Sequence, residues 1–550
     1  MPLLFELVIH PLLIVSVGVA TVTALSFRAV SYTYLPDSIP WVGCRKELFS
    51  KLRANLREYK QGLQFLDEGY TTYSKDGKSF ITPNATLRPE ILLPPSQTSW
   101  LFKQPDDILS ARAVQKSLLA TDYVLPRQTF EIDFHIEIAR IALTRQLGAL
   151  TDSMVDELRL TMDGILGSNT EDWTEVNLSS AMLAIVMRSN ARAFVGLPLC
   201  RDKTYLTLTY QYSMAIAICG FIIRVLIPDV LKPIFGPIFA LPCRWYAWRC
   251  NRYLVPIIKS RSANMQLSKT DEGRFTLVSS SDPVPNDLLQ HITSAVYSSP
   301  SHLHCSPHII SANLAMLNNT ATHTTHLTIV HALLDLLSHY SPGPSSPLEY
   351  IRAEASVILD SHNNTWTSAA VAQLHRADSA IRESLRYTTM GGRGSMRQVT
   401  PACGIQLPSG ETVPQGVWVG LPVAAIHHDA ALYPEPDAYL PFRFSDEREK
   451  LQAESGGPKA LEASKLAMTT TSHTFLPFSH GRHACPGRFY AAQLLKLLLA
   501  ELVLRYDVRG LEERPKNIIV SDLMMPPDGV SVWVKRRSNG DEKEEGEGER

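Results

Sequence analysis

A chain of 550 residues with 45% hydrophobic and 19% charged side chains has the composition of a large globular protein, not of a disordered one. Its formal net charge of −1 supplies no global field to hold a polyanion, which excludes nucleic acid as a general partner. The eight cysteines are scattered without a CxxC pair, which speaks against a zinc site or a disulfide scaffold and fits a reducing compartment.

The N-terminus reads as a separate unit. Pro11 to Phe27 carries no charge, and an apolar stretch of about 20 residues spans a bilayer core at 1.5 Å per residue. A cleaved signal peptide is the competing reading, with small residues near Ala24 and Ser26. The first ten residues lack the Lys or Arg such a peptide carries, whereas Arg28, Arg45 and Lys46 follow the segment. Residues 1–27 are therefore expected to form a membrane anchor with a lumenal N-terminus and a cytosolic body. The sequons at Asn84, Asn177, Asn318 and Asn363 would then be chance occurrences. At the other end, residues 536–550 are charged and offer nothing apolar to bury, which predicts a disordered tail.

Between these ends, helical periodicity recurs over Phe134–Leu150, Thr151–Leu166, Ser179–Phe194, Leu288–Val296, His308–His339 and Leu374–Tyr387. From Val399 to Leu421 the texture changes to short alternating runs with turn signals, the mark of a small β region. Residues 28–535 are expected to form a single mainly α domain with a minor β region. The apolar stretch Tyr212–Leu241 is interrupted by Arg224, Asp229, Lys232 and several prolines. It is read as a helix lining an apolar pocket or dipping into a membrane surface, with an ordinary core helix as the alternative.

The chemistry concentrates in Phe478-Ser-His-Gly-Arg-His-Ala-Cys485-Pro-Gly-Arg-Phe489. One cysteine sits in a glycine-bearing loop directly before an apolar helical run, Tyr490–Leu504. Gly481 and Gly487 allow sharp turns and close approach to a flat cofactor, and Pro486 suits a helix start. The partial positive charge of the helix N-terminus favours a thiolate at Cys485. A cysteine so presented is either a buried loop residue or a metal ligand, with haem iron foremost among metals. Upstream, Glu383 and Arg386 lie three apart on a predicted helix and share a face. Arg443 follows between aromatic residues, after a proline turn.

In this order the motifs resemble the cytochrome P450 family, whose cysteine loop reads Phe-x-x-Gly-x-Arg/His-x-Cys-x-Gly. The resemblance implies haem b ligated by Cys485 and a buried network of Glu383, Arg386 and Arg443 beneath it. It places the distal-helix small residue, acid substitute and threonine on Ala321, His323 and Thr324. Thr324 would then hold a water or dioxygen and relay protons, while His323 either relays protons or faces a neighbouring helix. Phe478, Gly481 and Gly487 would line the haem. His483 and Arg397 would bind its propionates, with Arg140 or His135 as a further partner in place of the usual Trp-x-x-x-Arg. Arg482, Arg488 and Lys496 could present a basic surface to an electron donor.

The details look most like fungal microsomal members of secondary metabolism. The activity so implied is a monooxygenase on the endoplasmic reticulum membrane. It would insert one atom of O2 into a lipophilic small molecule, with electrons from NADPH through a separate flavoprotein reductase. No dinucleotide-binding fingerprint appears in the chain itself. The alternatives are a haem-thiolate isomerase or dehydratase, against which Thr324 counts, and a non-catalytic haem-binding protein.

Overall fold

The computed structural model describes residues 35–538 except 127–128, 130–135, 137–138, 264, 270–274, 280–284, 299–305, 340–345 and 454–456. The proposed anchor, His135 and nearly all of the charged tail thus lie outside the described residues. The major helices are α1 (Ser50–Thr72), α2 (Thr144–Leu166), α3 (Leu178–Val195), α4 (Lys203–Val225), α5 (Lys232–Phe239), α6 (Leu241–Ala263) and α7 (Pro307–Ser338). They continue with α8 (Pro347–Ser361), α9 (Ser368–Gln373), α10 (His375–Tyr387), α11 (Arg443–Ala453), α12 (Gly457–Ser464) and α13 (Arg488–Arg505).

Their starts follow local chemistry. Asn177 caps α3 by accepting from Ser180 N–H at 2.8 Å, and Asp202 caps α4 by accepting from Tyr205 N–H at 2.9 Å. Pro307 and Pro347 occupy first helical positions, where the missing N–H costs nothing.

Helix α7 runs through the middle of the molecule and packs on α3, α4, α6 and α10. Leucines on α7 and α13 are almost wholly enclosed, among them Leu333, Leu336, Leu497 and Leu498. Each such side chain contributes about 1.5–3 kcal/mol of burial. That is why neither helix shows a continuous polar stripe: most positions around both are covered.

The expected β region is present and is joined by strands from far upstream. β1 (Phe80–Thr82), β2 (Glu90–Leu92) and β3 (Leu109–Ser110) combine with β4 (Gly394–Val399) and β5 (Trp418–Leu421) in the order β1-β2-β5-β4-β3. β5 runs parallel to β2 with Val419 opposite Ile91, and antiparallel to β4 with Trp418 opposite Gln398. A bulge between Val419 and Leu421 bends β5, and Gly420 there meets Met396 so closely that no side chain fits. Sequence periodicity missed β1 to β3 because strands of two or three residues carry no measurable alternation.

The apolar stretch Tyr212–Leu241 divides into α4 and α5. Among the described residues α4 is the one helix long and apolar enough to cross a membrane, yet much of it is enclosed. Its Leu208, Ile216 and Ile223 pack with Cys243 and Cys250 of α6.

Candidate functional site

The cysteine loop is fastened at both ends. Leu476 N–H donates to Nε2 of the buried His427 at 3.1 Å, and Cys485 N–H donates to the Phe478 carbonyl at 2.8 Å. Between them the chain turns through two residues with positive φ, Ser479 at 56° and Gly481 at 70°. Ser479 Oγ meets Ser395 Oγ of β4 at 3.0 Å, tying the loop to the sheet. Gly487 departs from the sequence expectation: its φ is −89° and it caps α13, so no left-handed turn requires glycine there. A Cβ on Gly487 would meet nothing within 4 Å, which leaves open space beside the cysteine. Pro486 correspondingly precedes the cap rather than sitting inside the helix.

The N–H groups of Gly487 and Arg488 donate toward the Cys485 sulfur, as expected of a helix N-terminus. Burial nevertheless outweighs them and pushes the free thiol up. Arg488 braces the loop, with Nη1 donating to the Cys485 carbonyl at 2.9 Å and Nε to the Thr469 carbonyl at 3.0 Å.

A cationic cluster flanks the loop. Arg397 projects from β4, spends Nη1 on the Met396 carbonyl, and leaves Nη2 buried without a partner among the described residues. Burial lowers its affinity for protons to a pKa of about 10, against the pull of Asp106. His483 Nε2 lies 2.7 Å from Asp106 Oδ1, and burial followed by Arg397 holds its pKa down. Arg140 lies at the rim, exposed, its Nη2 3.3 Å from the Arg482 carbonyl. Lys496 does not join the basic surface expected of it. It is buried and sits 3.6 Å from Asp378.

On α7, Thr324 Oγ1 donates to the Thr320 carbonyl at 2.6 Å, and Thr328 repeats the pattern onto Thr324 at 2.8 Å. The helix is continuous through this stretch. Thr324 itself is exposed, whereas His323 turns toward α4 and places Nε2 2.8 Å from Ser213 Oγ. Of the two roles weighed for His323, contact with a neighbouring helix is the one the geometry displays.

The third group is compact. Arg386 bonds both Glu383 oxygens, and Arg443 Nε reaches Glu383 Oε1 at 3.0 Å.

These observations acquire a family through comparison. The cytochrome P450 family model matches residues 201–534. Cytochrome P450 monooxygenase polB of Polytolypa hystricis is 32% identical, over 92% of this chain and 94% of its own length. The relatives gloP of Glarea lozoyensis and lnaC of Aspergillus flavus, named likewise, are each 33% identical. Those alignments cover 91% and 92% of this chain, and 91% and 94% of the relatives. The chain belongs to the cytochrome P450 family. It is thereby a member of a haem-dependent oxidoreductase family whose iron takes a cysteine thiolate, and whose monooxygenases generally use a redox partner, O2 and lipophilic substrates.

The residues of this P450 suit such a group. The sulfur of Cys485 is served by two backbone donors, the space beside Gly487 is open, and the orphaned Nη2 of Arg397 awaits an anion. Sequence reasoning missed several neighbours of the site. Asp106 contacts His483, and Ser213 contacts His323 while donating to Asn319 Oδ1; neither Asp106 nor Ser213 belongs to a motif. Asn190 bridges Tyr490 OH at 2.9 Å and Thr322 Oγ1 at 3.2 Å, linking α13 to α7 through α3. Tyr490 follows the cysteine loop and could have been suspected; Asn190 left no signal.

Proposed function

We propose that this protein is a membrane-anchored monooxygenase that inserts one oxygen atom of O2 into a lipophilic substrate of secondary metabolism. In this reading its cofactor is haem b, and its electrons come from NADPH through a separate flavoprotein reductase. The observation that carries the reading is Cys485, whose sulfur takes two backbone N–H groups in a loop whose His483 feels the charge of Arg397, with its orphaned Nη2.

Haem, when bound through a thiolate, supplies dioxygen activation and electron transfer. The chain's own residues hold, orient and shield. Cys485 would hold the iron through its thiolate, whose charge the two amide donors would temper. Arg397 and His483 take the propionates, with Arg140 at the rim. Phe478, Gly481 and Gly487 shape the loop against the macrocycle, and Glu383, Arg386 and Arg443 brace the core below.

Thr324 has committed its proton to the Thr320 carbonyl, so its oxygen offers lone pairs to the open side. It therefore accepts a hydrogen bond from a water that brings in protons, and must rotate to donate one. His323, kept neutral by burial, holds α4 against α7 through Ser213.

Anchoring rests on residues 1–27 and receives support from exposed apolar side chains on α5 and α6, including Ile234, Ile238, Phe239, Leu241 and Trp245. The endoplasmic reticulum, with residues 28–535 cytosolic and 536–550 a free tail, is the matching location.

The test is the reduced carbon-monoxide difference spectrum of the purified full chain. The thiolate-type Soret band should appear in the wild type and vanish in Cys485→Ala. A Cys485→Ala protein that keeps the band overturns the assignment. Product formation that runs equally well without NADPH and reductase would instead favour the isomerase reading.

A further inference from the structure

Two buried thiols meet where α4 packs on α6. On α4, Ile216, Cys219 and Ile223 are spaced so that they share one face, and all three are buried. On α6, Cys243 and Cys250 lie two turns apart and belong to the same apolar cluster.

The contact between Cys219 and Cys243 is specific. The Cys219 sulfur accepts both the S–H and the backbone N–H of Cys243. Cys243 stands in the first turn of α6, where N–H groups have no carbonyl of their own helix to serve and the helix dipole is positive. The S–H donated by Cys243 lowers the pKa of Cys219 against the opposing effect of burial. That same bond, together with burial, holds Cys243 protonated. Cys250 differs: burial pushes its thiol up to about 12, so it remains an inert apolar side chain.

A sulfur held toward the thiolate form against a second thiol is the arrangement of a dithiol that closes to a disulfide. Cys243 also forms part of the wall of a cavity of about 650 Å³, together with Tyr123, Tyr212, Pro233, Pro237 and Trp248. That cavity gives a small uncharged oxidant a way to the pair.

We propose that Cys219 and Cys243 are a redox-active pair that hydrogen peroxide converts reversibly to a disulfide joining α4 to α6. The Cys219 sulfur attacks one peroxide oxygen and the O–O bond breaks. The departing oxygen leaves as water, with the proton that Cys219 gave up. The Cys243 sulfur then attacks the sulfenic acid on Cys219, the S–O bond breaks, and a second water leaves with the Cys243 proton. Two thiols and one peroxide become one disulfide and two waters, with two electrons passing from sulfur to oxygen. The loop so closed contains α5, whose Pro233 and Pro237 line the same cavity, so the bond fixes that wall in place.

The experiment treats the haem-loaded full chain with stoichiometric hydrogen peroxide, blocks the remaining thiols with iodoacetamide and digests with trypsin. Cleavage after Arg224 separates the two cysteines into the peptides Thr204–Arg224 and Val225–Arg244. Mass spectrometry should find these two linked, two hydrogens lighter than their sum, and dithiothreitol should split them. The linked pair should be lost in Cys219→Ser and persist in Cys250→Ser, which removes a neighbouring thiol buried in the same cluster. Recovery of Cys219 and Cys243 only as separate alkylated peptides, in a sample whose exposed Cys44 and Cys403 are oxidised, overturns the proposal. So does a linked pair that Cys250→Ser abolishes.

Discussion

Arg386 spends every one of its guanidinium N–H groups inside the protein, and Glu383 takes two of them. Nε and Nη2 reach the two Glu383 oxygens at 2.9 and 2.8 Å, while Nη1 serves the carbonyls of His427 and Pro436 and Nη2 also that of Ala438. Glu383 Oε1 additionally accepts from Leu440 N–H and Arg443 Nε. Both side chains of the pair are fully enclosed.

Removing one partner strands the other's charge where water cannot reach it. Glu383→Ala should cost about 3–5 kcal/mol, the range for breaking a buried pair. The expected outcome is loss of soluble, haem-loaded protein, read as the Soret-to-280 nm absorbance ratio after purification. A variant with wild-type haem content would show that the network is dispensable.

Arg397 differs, because its buried Nη2 has no partner of its own to lose. If it serves a propionate, Arg397→Leu removes one charge-assisted hydrogen bond worth about 1.5–3 kcal/mol, or roughly tenfold to hundredfold in haem retention. Haem transfer to apomyoglobin would measure this, while urea unfolding of the apoprotein should change little. Unchanged transfer kinetics would remove Arg397 from the haem site.

His427 sets a pH dependence. Its Nε2 accepts from Leu476 N–H and its Nδ1 faces Thr389 Oγ1 at 2.9 Å, so the neutral ring is fully satisfied. Burial, then Arg386, lowers its pKa from 6.5 to about 3. The unfolded chain therefore binds a proton first as pH falls, and the folded state loses stability below about 6.5 until about 3. The slope from this residue is about 1.4 kcal/mol per pH unit. His326 and His331, both lowered to about 4, act in the same direction. Urea midpoints at pH 6.5, 5.5 and 4.5 should fall steadily, and His427→Gln should flatten the decline. A flat profile in the wild type would contradict the assignment.

Asn190 offers a fourth test. Its amide satisfies Tyr490 OH and Thr322 Oγ1 in a buried interface between α13, α3 and α7. Asn190→Ala leaves two buried hydroxyls short of partners, at about 1–3 kcal/mol each. Thermal denaturation should report the loss, and Tyr490→Phe in the same background should recover part of it.

Much of this protein was legible in the linear chain, and the reason is locality. A helix announces itself by repeating apolar positions every turn, so α3, α7 and α10 stand close to where periodicity placed them. The same logic exposed Glu383 with Arg386, one turn apart, and the loop around Cys485, whose spacing is set by backbone turns. Tertiary structure alone decided what lies between distant segments. Asp106 beside His483, Ser213 on His323, Asn190 between two helices and the upstream strands beside β5 are all contacts across long separations, which no local pattern encodes. It also decided the fate of charge. Lys496 reads as a surface cation until the fold closes over it, because desolvation depends on everything packed around a side chain. The sign of the shift at Cys485 follows the same rule: the helix N-terminus beside it is written in the sequence, but the burial that outweighs it is a property of the whole fold.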